Sequence, residues 1–381
     1  MMQRWPDFGL ADAPDDVWEC VGDLLTLQGE ARTATVVGLP NARKARSLVV
    51  VDGRRGAASL VWRQFGAGNR SRKLRAGTMA ALIVLGLAPR ISTFRLEVPE
   101  APAGLGYRDW LSQALPAYLR VGAIVLGPPR ANRKPVVLLT DRTGSLVAVA
   151  KFGVSEVTRP LVRHEADALK RVGIALHGSV HVPQLLASGS AGRGEALLMA
   201  PLVAATPSVR PSRARLLKLV REVGAIDQSS GEDLCNIASH PRLAPLQPRI
   251  DEVRQCYEWV ETGSFHGDLH PGNLAVAEDG KVILWDWERW GRGAPLGFDL
   301  LHHDLQSWIT VDGMTPKDAA AALIAKAPEI LGPLGVPAPW APSVARDYLI
   351  RLAARYATDN QERAGSPLGA IERWLFPAVL R

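Results

Sequence analysis

The stretch HGDLHPGNLAVAEDGKVILWDWE, His266 to Glu288, constrains the fold more than any other part of the chain. Pro271-Gly272 disfavours helix, so Asp268 and Asn273, five residues apart, belong on a loop. The residues beyond Asn273 read as a hairpin: a short strand from Leu274 to Ala277, a turn at Glu278-Asp279-Gly280, and a returning strand from Lys281 to Trp285. Such a hairpin returns Asp286 to the loop that holds Asp268 and Asn273. Each Asp or Asn taken alone is equally a turn-capping residue.

Two carboxylates and a carboxamide converging on one place suit a specific chemistry. Transfer of a γ-phosphoryl group needs Mg²⁺ to neutralise the phosphates, hard oxygen ligands to hold the ion, and a carboxylate to receive the proton of the attacking hydroxyl. Asn273 and Asp286 are then the metal ligands and Asp268 the base. Upstream, AIVLGPPRANRKPVVLLTDRTGSLVAVAKFG (Ala123 to Gly153) reads as a β run, a Pro/Gly/basic loop and two β-branched runs joined by the turn Asp141-Arg142-Thr143-Gly144. RPLVRHEADALKRVGI comes next with helical spacing, and EALLMAPLV looks like a buried strand leading into a linker from Ala204 to Ser212. Beyond it RARLLKLVREVGAI, PRIDEVRQCYEWVE, PKDAAAALIAKAPEIL and VARDYLIRLAARYA are helical by periodicity and propensity. A mostly β half precedes a mostly α half, an α+β chain in two lobes.

These motifs resemble the catalytic core of the aminoglycoside phosphotransferase and choline kinase-like family, relatives of the protein kinases. His266-Gly267-Asp268 to Asn273 matches the family's H-G-D-x-x-x-x-N loop, and Ile283-Leu284-Trp285-Asp286 its strand ending in a metal-binding Asp. The resemblance implies a bilobal protein kinase-like fold, ATP and Mg²⁺ as cofactors, and the hydroxyl of a small molecule as acceptor. It implies that Lys151, in VAVAKFG, binds the α- and β-phosphates, with Glu165 fourteen residues later as its ion-pair partner. The backbone of Met199, Ala200 and Leu202 then meets the adenine ring, and Asp299, in GFDL, supports the catalytic loop. His270, Trp287 and Glu288 flank the site, either facing the acceptor or packing locally. The loop Gly127-Pro128-Pro129-Arg130-Ala131-Asn132-Arg133-Lys134 departs from G-x-G-x-x-G, since prolines remove backbone donors. Arg130, Arg133 and Lys134 either replace those donors with charge or are solvated. A nucleotide-binding pseudokinase or interaction scaffold is the rival function, and a protein kinase a third, disfavoured by HGDLHPGN and GFDL.

A repeat test divides the first half. ATVVGLPNARKARSLVVVD (Ala34 to Asp52) lies on AIVLGPPRANRKPVVLLTD (Ala123 to Asp141) without a gap, and Gln64 to Leu87 lies on Lys151 to Ile174 after a two-residue length difference. Lys151 then corresponds to Gln64 and Glu165 to Thr78. The expectation is a degenerate second N-lobe within residues 1–120, joined by the helix YRDWLSQALPAYL to a working N-lobe (121–203) and a helical C-lobe (204–381). An unrelated α+β extension is the alternative.

Composition narrows the class. With 47% hydrophobic and 22% charged residues over 381 positions, the chain can bury the cores of two or three units. Cys20, Cys235 and Cys256 have no C-x-x-C spacing, which argues against a disulfide scaffold or zinc ribbon. No apolar h-region appears near the start and no run reaches the ~20 residues of a spanning helix, so a soluble, cytoplasmic protein is expected. The formal charge of +7 is uneven: 16 basic and 11 acidic residues up to position 120 give +5. Arg43 to Arg75 holds ten basic residues against Asp52 alone. That patch is a solvated surface or a docking face for an acidic partner or membrane surface, and no nucleic acid is expected as a partner.

Overall fold

The computed structural model describes residues 15–25, 33–39, 46–51, 53–65, 70–87, 93–97, 106–116, 118–128, 130–202, 211–232 and 234–380. Arg43, Lys44, Pro129 and most of the expected linker lie outside them. The chain forms two compact units, Met1–Ala166 with Pro183–Pro201 and Asp167–Val182 with Leu202–Arg381.

The first unit begins with α1 (Asp15–Leu25), β1 (Thr33–Leu39), β2 (Ser47–Val50), α2 (Arg54–Leu60), a π-helical segment Val61–Phe65, and α3 (Arg70–Val84). Next come β3 (Thr93–Glu97), α4 (Tyr107–Ala114), β4 (Arg120–Val125), β5 (Val136–Thr140), β6 (Leu146–Gly153) and α5 (Thr158–Ala175), whose last turns enter the second unit. After β7 (Val180–His181), which belongs to the second unit, β8 (Leu185–Ala191) and β9 (Gly194–Met199) complete the first. Its eight strands run in the order β3-β1-β2-β4-β5-β6-β9-β8, every neighbour antiparallel. Residues 1–120 and the expected N-lobe therefore share one sheet, through the pairing of Leu48 with Ile124. An edge strand that would otherwise expose its hydrogen-bonding groups is covered by this pairing.

Side-chain alternation sends the two faces of that sheet to different helices. Val121, Val137, Leu139, Ala148, Ala150 and Phe152 are buried with Val17 and Leu24 of α1 and Tyr107 and Leu111 of α4. On the opposite face, Val37, Val49 and Ala123 meet Ala76 and Ile83 of α3, while Leu197 and Met199 meet Val162 and Ala166 of α5. Leu138, packed on the α3 cluster, is the register partner of Val149, packed on the α5 cluster, so both helices cover one face.

The two aligned segments differ at one element. Both have two antiparallel strands and a later helix, but the returning strand β6 has no counterpart before α3. The duplication calls for a strand where Gln64 aligns with Lys151, and that segment is helical instead. RGAASL has good helix formers and no β-branched residue, whereas SLVAVAKFG alternates Val through the strand.

Beyond the end of α5 and β7, the second unit continues with α6 (Arg213–Gly224), α7 (Leu234–Ile237), α8 (Gln247–Arg254) and β10 (Thr262–Phe265). A hairpin of β11 (Leu274–Val276) and β12 (Val282–Leu284) comes next, then β13 (Gly291–Pro295). Helices α9 (Phe298–Thr310), α10 (Pro316–Leu331), α11 (Ala341–Thr358), α12 (Ile371–Trp374) and α13 (Phe376–Val379) finish the chain. β12 pairs with β11 and, in parallel, with β7, while β10 pairs with β13. Ser212 and Thr315 cap α6 and α10, each accepting a backbone N–H three residues on. All three cysteines are free, and no helix among the described residues is long and apolar enough to cross a membrane.

Candidate active site

In the first unit, register puts Lys151 on the α5 side of β6, opposite Val136 and Leu197. Its Nζ lies 2.6 and 2.8 Å from the two carboxylate oxygens of Glu165, and both residues are buried. The start of α5 is locked by a reciprocal pair: Thr158 Oγ1 accepts the N–H groups of Val154 and Ser155, and Ser155 Oγ accepts that of Thr158. This fixes the helix against the end of β6, so Glu165 arrives two turns later in reach of Lys151. Met199 is buried at the end of β9, and the N–H of Ala200 donates to the carbonyl of Gln184 at 2.9 Å. Leu202 belongs to the second unit.

The Pro-containing loop uses its flanking donors on the protein itself. The N–H groups of Leu126 and Gly127 donate to the carbonyl of Arg46, at 2.9 and 3.1 Å. Arg133 and Lys134 are buried, not solvated, and Arg133 Nε donates to the carbonyl of Leu126 at 3.3 Å. Arg130 is exposed.

In the second unit, β10 delivers the chain to His266, and a buried carboxylate from α9 shapes the loop that starts there. Asp299 accepts the N–H groups of His266 and Gly267 at 2.7 and 2.9 Å, so it braces the loop instead of capping its own helix. Gly267 has φ of 82°, and a Cβ there would overlap the carbonyl of Arg289. His266 Nδ1 accepts the N–H of Asp268 at 3.2 Å, which assigns the proton to Nε2, donating to the carbonyl of Trp285 at 3.1 Å. Burial pushes His266 down to about 4 and Asp299 up to about 6, despite the nearby Asp268 and Asp286 charges in the first case and the backbone donors in the second.

The hairpin closes as its sequence indicates. Trp285 N–H donates to the carbonyl of Asn273 at 3.1 Å, so the end of the loop and the end of β12 are tied side by side. Asp286 comes next with φ of 69°, a left-handed conformation that L side chains with a Cβ rarely adopt. Asn273 donates its amide N–H to the backbone carbonyl and to Oδ2 of Asp268, both at 3.0 Å. With the nitrogen so directed, Asn273 has its amide oxygen left to offer, and that oxygen and the Asp286 carboxylate are hard donors of the kind Mg²⁺ takes.

Around Asp268 stand His270, which the sequence placed beside the site, and two groups it did not single out, His302 and Arg355. His302 Nε2 lies 3.2 Å and Arg355 Nη2 3.7 Å from its Oδ1, and His270 Nε2 lies 3.7 Å from Oδ2. Arg355 also donates to the carbonyl of Gly267 at 2.7 Å. His302 Nδ1 is 2.9 Å from the hydroxyl of Tyr348. The hydroxyl and Nδ1 share one hydrogen bond, whose donor the tautomer of the ring sets. Burial raises the Asp268 carboxyl, but His302, Arg355 and His270 outweigh it and hold it well below the usual range. Burial likewise drives His302 down to about 4, so this contact is between a neutral ring and a carboxylate.

His302 stands 34 residues and Arg355 87 residues from Asp268 in sequence. His302 has one available signal, its place one turn after Asp299 on α9; Arg355 has none. Of the flanking residues, Trp287 is fully buried with Nε1 donating to the carbonyl of Leu284, and Glu288 is buried, while His270 is a third exposed. A cavity of about 600 Å³ opens beside the loop, its wall including Gly267, Arg289, His302, Tyr348, Arg355 and Asp359. Arg289 and Asp359 form an ion pair within it.

No protein-family model matches the chain, and no curated protein matches it. Solved structures similar to it include a fructosamine-3-kinase from Haemophilus somnus 129PT, 12% identical over 66% of this chain and 89% of that one, with a TM-score of 0.42. An aminoglycoside phosphotransferase APH(3'')-Id from Streptomyces rimosus is 17% identical over 56% and 89%, with a TM-score of 0.38. A type VIII aminoglycoside-3'-phosphotransferase is 17% identical over 64% and 97%, with a TM-score of 0.43.

Proposed function

We propose that this chain transfers the γ-phosphate of ATP to a hydroxyl of a small molecule. The observation that carries the reading is the setting of Asp268: a carboxylate on a braced loop, with Asn273 donating to one oxygen and His302 and Arg355 against the other. Lys151, paired with Glu165, supplies the phosphate-directed cation, and Met199, Ala200 and Leu202 the adenine-facing backbone. When bound by Asn273 and Asp286, Mg²⁺ supplies charge neutralisation for the transferring phosphoryl group. The chain's own residues do the rest. Asn273 and His302 fix the Asp268 carboxylate, Arg355 ties that carboxylate to the Gly267 carbonyl, and Asp268 orients the acceptor hydroxyl and takes its proton. The adjoining cavity takes the acceptor. Its wall carries three carboxylates: Asp299, engaged by backbone donors, Asp359, paired with Arg289, and the exposed Glu232.

Asp268→Ala is expected to lower turnover about 100- to 10,000-fold while leaving nucleotide affinity within a few-fold. An ATP-consumption screen over hydroxylated metabolites, run with parent and variant side by side, checks it; equal turnover refutes the assignment. The competing reading, a nucleotide-binding scaffold, is favoured by the Leu126 and Gly127 donors being taken by Arg46. It predicts nucleotide binding with no transfer to any acceptor.

A further inference from the structure

Helix α3 is apolar on two sides, and only one of them is packed. Its inner side, Ala76, Met79, Ala80 and Ile83, meets Val37, Val49 and Leu60 in the core. Its outer side repeats at helical spacing with Leu74, Thr78, Ala81 and Leu85, all exposed, Leu74 at 73% and Leu85 at 66%. Trp62, 53% exposed, lies over Gly77 on the same side, since a Cβ at that glycine would stand 3.3 Å from the indole. Val84 and Leu87, at the end of the helix and just past it, are exposed as well. Five of the eleven large hydrophobic residues exposed among the described residues thus fall between Trp62 and Leu87.

Charge selects what covers the open side. From Gly53 to Leu87 the sequence holds seven basic residues and no acidic one. Arg54, Arg55, Arg63, Lys73 and Arg75 are exposed, and Arg63 also donates to Ser145 Oγ at 3.0 Å. Aliphatic side chains and a tryptophan on the flank of one helix, bordered by long cationic side chains, match the boundary between lipid headgroups and acyl chains. There the apolar strip is buried while the basic ends stay at the phosphates.

We propose that the outer side of α3, with Trp62, binds an anionic lipid surface. The complementary charge excludes a basic partner, and the helix flank offers a strip to lie in an interface, where an acidic peptide would need a groove. The inference does not depend on the phosphotransferase reading, because none of these residues belongs to the candidate active site.

Cosedimentation of the full chain with vesicles tests it, using phosphatidylcholine alone and phosphatidylcholine with about a quarter phosphatidylglycerol. Binding to the anionic vesicles about tenfold or more above the neutral ones, falling with salt and reduced at least tenfold by the pair Leu74→Asp and Leu85→Asp, supports the assignment. An unchanged circular-dichroism melt shows that the variant is folded. Charge reversal of Lys73 and Arg75 to Glu is expected to weaken binding while leaving the melt in place. Three results overturn the proposal: no preference for anionic vesicles, vesicle binding indifferent to the two Asp substitutions, or sedimentation showing that the strip is the interface of a dimer.

Discussion

Two stretches of one sheet start alike and end differently. Ala34–Asp52 and Ala123–Asp141 align without a gap, and each contributes an antiparallel pair, β1 with β2 and β4 with β5. After that, one chain turns back as β6 and carries Lys151 to Glu165, while the other turns into α2 and the π-helical segment. Both then place a helix on the same face of the sheet. What differs is the strand that carries Lys151: the two frameworks pair with each other through β2 and β4, and only the second has a β6.

The sharpest way to break this comparison is at the ion pair. Lys151→Ala leaves a buried Glu165 uncompensated and is expected to destabilise the fold by about 3–5 kcal/mol, with turnover down by at least about 100-fold. The double replacement Lys151→Met with Glu165→Leu is expected to restore most of the stability and none of the turnover, because well-packed apolar residues commonly substitute for a buried pair. Thermal melts beside turnover separate the two roles. A double variant that regains activity removes the functional distinction between the two segments.

A second test addresses the seam. Gly144, in the turn between β5 and β6, has φ of 79°, and a Cβ there would sit 2.1 Å from the carbonyl of Gly56 on α2. The turn is otherwise closed by Asp141, whose Oδ1 accepts the N–H groups of Thr143 and Ser145. Gly144→Ala is expected to cost about 2–4 kcal/mol, from the left-handed backbone and the overlap together. Gly178→Ala, at φ of 87° with nothing near its Cβ, is expected to cost only the backbone part, about 1–2 kcal/mol. Equal losses in denaturant titrations would mean that α2 gives way and the seam is soft. The smallest effect is expected from rearming the first segment: Gln64→Lys with Thr78→Glu should move stability by less than about 0.5 kcal/mol and leave turnover unchanged. Thr78 is exposed on α3 and position 64 is helical, so no strand–helix pair can form there.

Much of the site could be read from local spacing. The loop from His266 to Asn273, the hairpin to Asp286 and the fourteen-residue interval from Lys151 to Glu165 lie within single supersecondary units, where turn chemistry and period decide geometry. Three helices of the second unit, α6, α10 and α11, were equally legible, because their apolar periods are long and uninterrupted by breakers except near their ends. The first segment misled because VWRQF continues an apolar pattern that suits either strand or helix, and the preceding RGAASL, with no neighbour to pair with after β2 joined β4, took its own propensity.

By itself, then, the sequence determined the two armed motifs and the α+β order of the chain, since those depend on neighbours within about thirty residues. Tertiary structure alone decided that His302 and Arg355 hold Asp268, that Arg46 takes the donors of Leu126 and Gly127, and that residues from the first third extend the sheet through β2. Those contacts join positions separated by tens of residues. Hydrogen-bond satisfaction in a buried setting selects them, and no period or propensity in a linear pattern encodes which partner a buried group will find.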